Sequence, residues 1–134
     1  MQLHFDDEAF DGQLQRTVGK CDAGMANVGE CLYIASRITE GDRDSWYAAW
    51  STFADGLVAQ AAAAAQTGHA TSAASLRLRA AEYYRQAFFW HRDDLDGKEL
   101  TTAYRASVDA FRSALPVLLG RGRLIEGDTP GYLF

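Results

Sequence analysis

The chain has 134 residues, enough for one hydrophobic core, and its 48% hydrophobic and 23% charged residues exclude a disordered segment. A net charge of −5 argues against a nucleic-acid surface, which needs a basic surplus on one face. The longest apolar run, 57–65, is broken by Gln60 and is too short to span a bilayer. The N-terminus MQLHFDDEAF is acidic, unlike a signal peptide, and two cysteines, Cys21 and Cys31, are too few for a disulfide framework. A soluble cytoplasmic protein with reduced thiols is expected.

Taken in chain order, Phe5, Phe10, Leu14 and Val18 form an irregular helical stripe over about 3–20, followed by a turn around Gly24. Asn27 with Glu30 three positions later reads as a capping box. It opens a second helix, about 27–39, with Cys31, Ile34, Ala35 and Ile38 on one face and Gly41 as its stop. Asp42 or Asp44 caps a third helix in which Trp46, Trp50, Phe53, Leu57 and Ala61 recur at helical steps, ending at Gly68. A fourth, about 71–91, carries Leu76, Ala80, Tyr83, Tyr84, Ala87 and Trp90 and is apolar on two sides, as expected of a central helix. The pattern Asp96-Gly-Lys-Glu99 opens a fifth, with Tyr104, Val108, Phe111 and Leu115 as its buried stripe and Pro116 at its end.

Beyond Pro116, glycines and apolar residues follow one another without a helical period, so 117–134 is expected to be extended. A single strand leaves its edges unpaired and calls for a sheet that this sequence does not supply; the plainer alternative is a tail folded over the helices. The sequence therefore predicts an all-α fold. About five helices form a compact cap over 1–116, and an extended segment over 117–134 leads toward an absent α/β sheet.

Chemistry-bearing patterns are scarce. No G-x-S-x-G pentapeptide occurs, and Ser72 is expected to cap the fourth helix. His4, His69 and His91 have no ligand spacing, so no metal site is expected. The acidic run Asp93, Asp94, Asp96 fails as a calcium loop, because aligning Gly97 with the loop glycine puts Arg92 at the first ligand position and Ala103 at the twelfth. Glu82 lies three residues from both Arg79 and Arg85, a spacing for intrahelical ion pairs. No glycine-rich phosphate cradle is present, and no cofactor is expected.

The aromatic residues remain. Trp46, Tyr47 and Trp50 open one helix, and Tyr83, Tyr84, Phe88, Phe89 and Trp90 crowd the end of another. They read either as packing core or as walls of an apolar pocket or partner interface. Adjacent residues on a helix point about 100° apart, so Tyr83 and Tyr84 need two different surfaces.

Together, Ser45-Trp-Tyr-Ala-Ala-Trp50, Gly68-His69 with Ser72-Ala73, Leu78-Arg-Ala80 and Tyr83-Tyr-Arg85 resemble the N-terminal helical region of a group of α/β-hydrolases. That group includes the fermentation–respiration switch protein, dihydroxypseudooxynicotine hydrolase and fungal heptaketide hydrolases. Ile125-Glu-Gly-Asp-Thr-Pro-Gly-Tyr132 resembles the segment by which such proteins enter their catalytic sheet.

The resemblance implies a helical lid over a serine-dependent hydrolase domain that carries all the catalytic groups, none of which maps onto this chain. The substrate implied is a small hydrophobic or aromatic ester, amide or activated C–C compound. Trp46, Tyr47, Trp50, Tyr83, Tyr84 and Phe88 are then the candidates for pocket wall or domain interface. Arg79 and Arg85 are candidate anchors to that domain, with ion pairing as the plainer role. The partners expected are the catalytic α/β domain, of the same or a companion chain, and a small-molecule substrate, with self-association where aromatic surface is left open; neither nucleic acid nor membrane is expected. The alternative from another class is a stand-alone helical protein-interaction module.

Overall fold

The computed structural model describes residues 2–118, 123–125 and 131–133. The described body is helical: α1 (Glu8–Val18), α2 (Val28–Ala35), α3 (Arg43–Gln66), α4 (Ala70–Ala87) with a 3₁₀ turn at Phe88–His91, and α5 (Lys98–Leu118). The all-α expectation holds for this body. α4 packs against α3 on one side and α5 on the other, so it is the central helix that its two apolar faces predict.

The extended tail differs from expectation in one respect. Strands β1 (Arg123–Ile125) and β2 (Gly131–Leu133) pair with each other antiparallel, Leu124 opposite Tyr132. One edge of each strand is thus met within the tail itself. Of the expected entry segment 117–134, with its motif Ile125–Tyr132, residues 119–122, 126–130 and 134 lie outside the described residues. Pro116 does not end α5, which runs on to Leu118. In the last turn a proline forfeits one intrahelical bond and leaves the rest of the helix intact.

Helix starts follow their side-chain caps. The carboxylates of Asp7 and Asp42 each accept two backbone N–H groups, at the starts of α1 and α3. The residues before α1 are not helical. The Asp11 carboxylate accepts the N–H groups of Leu3, His4 and Phe5 at 2.8–3.1 Å and folds this strand of chain back over α1. Asn27 caps α2 through the Glu30 N–H at 3.2 Å. That helix stops at Ala35, four residues short of the expected end, and Ile38 reaches the core from the turn that follows. Ser72 caps nothing; α4 begins at Ala70 behind His69, which makes no side-chain cap bond.

The core is built around aromatic rings. Phe5, Phe10, Trp46, Trp50 and Tyr83 are buried, and successive centroids lie 5.1–6.1 Å apart, the range of favourable edge and tilted contacts. The α4–α5 contact is made of alanines instead: Ala80, Ala81 and Ala87 on α4, Ala103, Ala110 and Ala114 on α5. Small side chains let two helices approach closely, and of the expected α5 stripe Leu115 is buried while the other three positions are not. Tyr104 is 56% exposed, and Val108 and Phe111 are only half-buried.

Candidate functional site

α3 presents two unlike faces. Trp46, Trp50, Ala54 and Leu57 enter the core, while Ser45, Ala48, Ala49, Thr52 and Gly56 form a low floor beside α2. Because these residues are small, α2 and α3 enclose an open groove of about 760 Å³ between them. That is the size range of small-molecule sites. Its aromatic wall is Tyr33 and Phe53, 5.7 Å apart between centroids and tilted by 56°. Phe53 is backed by Tyr83 at 5.8 Å, which ties the wall to the core.

The two charged groups lining the groove are in different states. The Arg37 guanidinium carbon sits 3.7 Å from the centre of the Tyr33 ring, and among the described residues no carboxylate lies within ion-pair distance of it. Glu30 is neutralised: it accepts from Arg79 Nε at 3.0 Å and from the Tyr83 hydroxyl at 2.6 Å. The same Tyr83 oxygen accepts the Asn27 N–H at 3.0 Å. The reciprocal arm of the predicted capping box is therefore replaced by a tyrosine from α4. Burial drives the Tyr83 phenol well above its ordinary range, and the bond to Glu30 adds to this. Burial likewise raises the Cys31 thiol to about 12, so that buried thiol is not a nucleophile.

The residues singled out from the sequence lie elsewhere. Trp46, Trp50 and Tyr83 have no exposed surface and close inside the core. The Trp46 indole N–H donates to the Gln86 carbonyl at 2.8 Å. Tyr84 is buried with its hydroxyl donated to Asp55, and it edges a small depression of about 300 Å³ shared with Ala106 and Ala110 of α5. The second surface that adjacent Tyr83 and Tyr84 require is thus the seam between α3 and α5. Tyr47 is half-buried against His91 at 5.4 Å, and Phe88 meets Tyr104 at 6.1 Å.

The arginines divide differently from their expected pairing with Glu82. Arg85 does hold Glu82, at 2.6 and 2.8 Å, but Arg79 goes to Glu30 on α2. The second cation on Glu82 is Lys20, at 2.7 Å. The groove residues Tyr33, Arg37 and Phe53 were not singled out as site residues. Their signal is faint, being a run of small residues at Ser45, Ala49, Thr52 and Gly56 on one face of an otherwise aromatic helix.

The Ser45 hydroxyl at the edge of the groove donates to the Thr39 and Asp42 carbonyls, at 3.2 and 3.0 Å, and so belongs to the turn. Among the described residues no three of His, Cys, Asp and Glu cluster closely enough to hold a metal ion, and no helix is long and apolar enough to cross a membrane.

No protein-family model matches the chain. It is similar to the 20-hydroxy-prefusarin hydrolase FUS2 of Gibberella moniliformis, 37% identical over 111 residues, which are 83% of this chain and 26% of the relative. It is 36% identical to the hydrolase LUC6 of a Fusarium species over all of this chain and 33% of that protein. It is 31% identical to the alpha/beta hydrolase xenA of Xenoacremonium sinensis over 93% of this chain and 30% of that protein. The chain thus spans about a quarter to a third of the length of the hydrolases it resembles, and the likeness to α/β-hydrolases read from the sequence is borne out.

Proposed function

We propose, with the likeness to α/β-hydrolases as premise, that this chain is the helical lid of a serine-dependent hydrolase. It would cover and help line a catalytic pocket whose nucleophile, acid and histidine belong to a separate α/β domain. The observation that carries the reading is the partial match: nearly all of this chain aligns with only a quarter to a third of proteins named hydrolases. The sequence holds no G-x-S-x-G, which agrees with a part that supplies no nucleophile.

A lid contributes by excluding water and shaping the entrance to the reacting centre. The rigid aromatic core and the open groove beside it suit that task. Serine hydrolysis of an ester, amide or activated C–C bond in a small hydrophobic molecule is the chemistry proposed for the whole enzyme, in the cytoplasm. Its partners are then the catalytic domain and the substrate.

The experiment is turnover of a p-nitrophenyl ester by the purified chain, with a fluorophosphonate to label any activated serine. Neither turnover above buffer nor labelling is expected. Clear turnover that survives Ser72→Ala, with no second domain present, overturns the reading.

A further inference from the structure

The geometry points to the α2–α3 groove as a binding site for a flat, apolar molecule bearing one carboxylate or comparable anionic oxygen pair. The inference deepens the lid reading by naming the class of ligand that the lid contacts.

Three independent features converge on it. The groove has the volume of a small-molecule site and an aromatic wall, Tyr33 and Phe53, over a floor low enough to admit a ring system. Its cation is available: Arg37 is held against Tyr33 and has no carboxylate partner among the described residues, in a chain whose net charge is −5. A guanidinium already stacked on a ring is preoriented to grip a carboxylate through two parallel N–H groups. The anionic residue in the groove, Glu30, is occupied by Arg79 and Tyr83, so it does not cancel that field.

The third feature is Gly56. It lies within α3, where a glycine weakens the helix relative to alanine. A Cβ placed on it meets nothing within 4 Å among the described residues, so no contact among them demands a glycine there. It does face the groove. The missing side chain keeps the floor clear for a ligand.

The test titrates the isotope-labelled chain with 2-naphthoate, and with 2-naphthamide as an uncharged molecule of the same shape. Expected are saturable shifts at the amides of Tyr33, Ala49 and Gly56, with 2-naphthoate bound about threefold to fivefold more tightly than the amide, as an exposed ion pair allows. Arg37→Gln should equalise the two probes. Gly56→Leu should abolish binding while the circular dichroism spectrum is unchanged. Should Gly56→Leu fail to fold, Ala48→Leu fills the same exposed floor. Absence of saturable shifts, equal binding of the two probes to the unaltered chain, or undiminished binding with the floor filled overturns the inference. Because this chain alone is titrated, a failure here is distinct from a failure of the lid reading, which is judged by turnover.

Discussion

Tyr83 donates its phenolic proton to the Glu30 carboxylate at 2.6 Å, a bond from the central helix to the first turn of α2 that spans 53 residues of sequence. Through it one tyrosine oxygen closes the N-terminus of α2 by accepting the Asn27 N–H, while its carboxylate partner holds Arg79. Tyr83→Phe would leave the part-buried Asn27 amide and the Glu30 carboxylate each short of a partner. A loss of about 1–3 kcal/mol in urea unfolding is expected, and Cys31, beside Tyr83, should become more accessible to a thiol reagent.

A pair of cations meets at Glu82. Its side chain is 1% exposed, and Lys20 and Arg85 approach it from the turn after α1 and from α4. With either cation replaced by methionine, the other still covers the carboxylate. The double variant Lys20→Met/Arg85→Met strands a buried charge and should cost about 3–5 kcal/mol, well beyond the sum of the single variants. Additive losses in a double-mutant cycle would show that the two cations act separately.

Asp11 makes the N-terminal fold acid-sensitive. Burial alone would raise its carboxyl, but the N–H groups of His4, Leu3 and Phe5 with the Gln15 amide outweigh that and hold it at about 2, below the ordinary 3.8. A group whose pKa is depressed on folding contributes stability above its unfolded pKa and loses it as pH falls through the folded one. Stability should therefore decline from about pH 4 toward pH 2, and Asp11→Asn should flatten that part of the curve measured by urea unfolding.

Two glycines should respond to alanine with opposite signs. Gly68, at φ +81°, adopts a left-handed conformation between α3 and α4, and Gly68→Ala should destabilise by about 1–2 kcal/mol. Gly56 is helical with open space around it, and Gly56→Ala should stabilise by about 0.5–1 kcal/mol. Thermal melts of the two variants read both signs.

What the sequence made legible was local. Asn27 and Asp42 act as caps because a cap is decided within four residues, and Arg85 pairs with Glu82 because they are three apart on one helix. What it hid was long-range. Glu30 at the third position of α2 has the form of a capping-box glutamate, and only the packing of α4 shows that its partners are Tyr83 and Arg79. The α5 stripe has the expected period with a phase set by alanine contacts, since Ala103 and Ala110 carry a weaker hydrophobic signal than Tyr104. Of the candidate aromatics, Trp46, Trp50 and Tyr83 are assigned to the core by burial, which the spacing alone does not decide. The groove was invisible because small residues such as Ala48 and Gly56 mark it by what they leave empty.

The central claim, that these helices cover a catalytic domain encoded with them, is tested most directly by reading the transcript in frame past the codon for Phe134. The account predicts an open frame with a G-x-S-x-G within roughly the next hundred residues, the usual place of the nucleophile elbow in this fold. A stop codon at that point, with no companion chain carrying such an elbow co-purifying with this one, would contradict it.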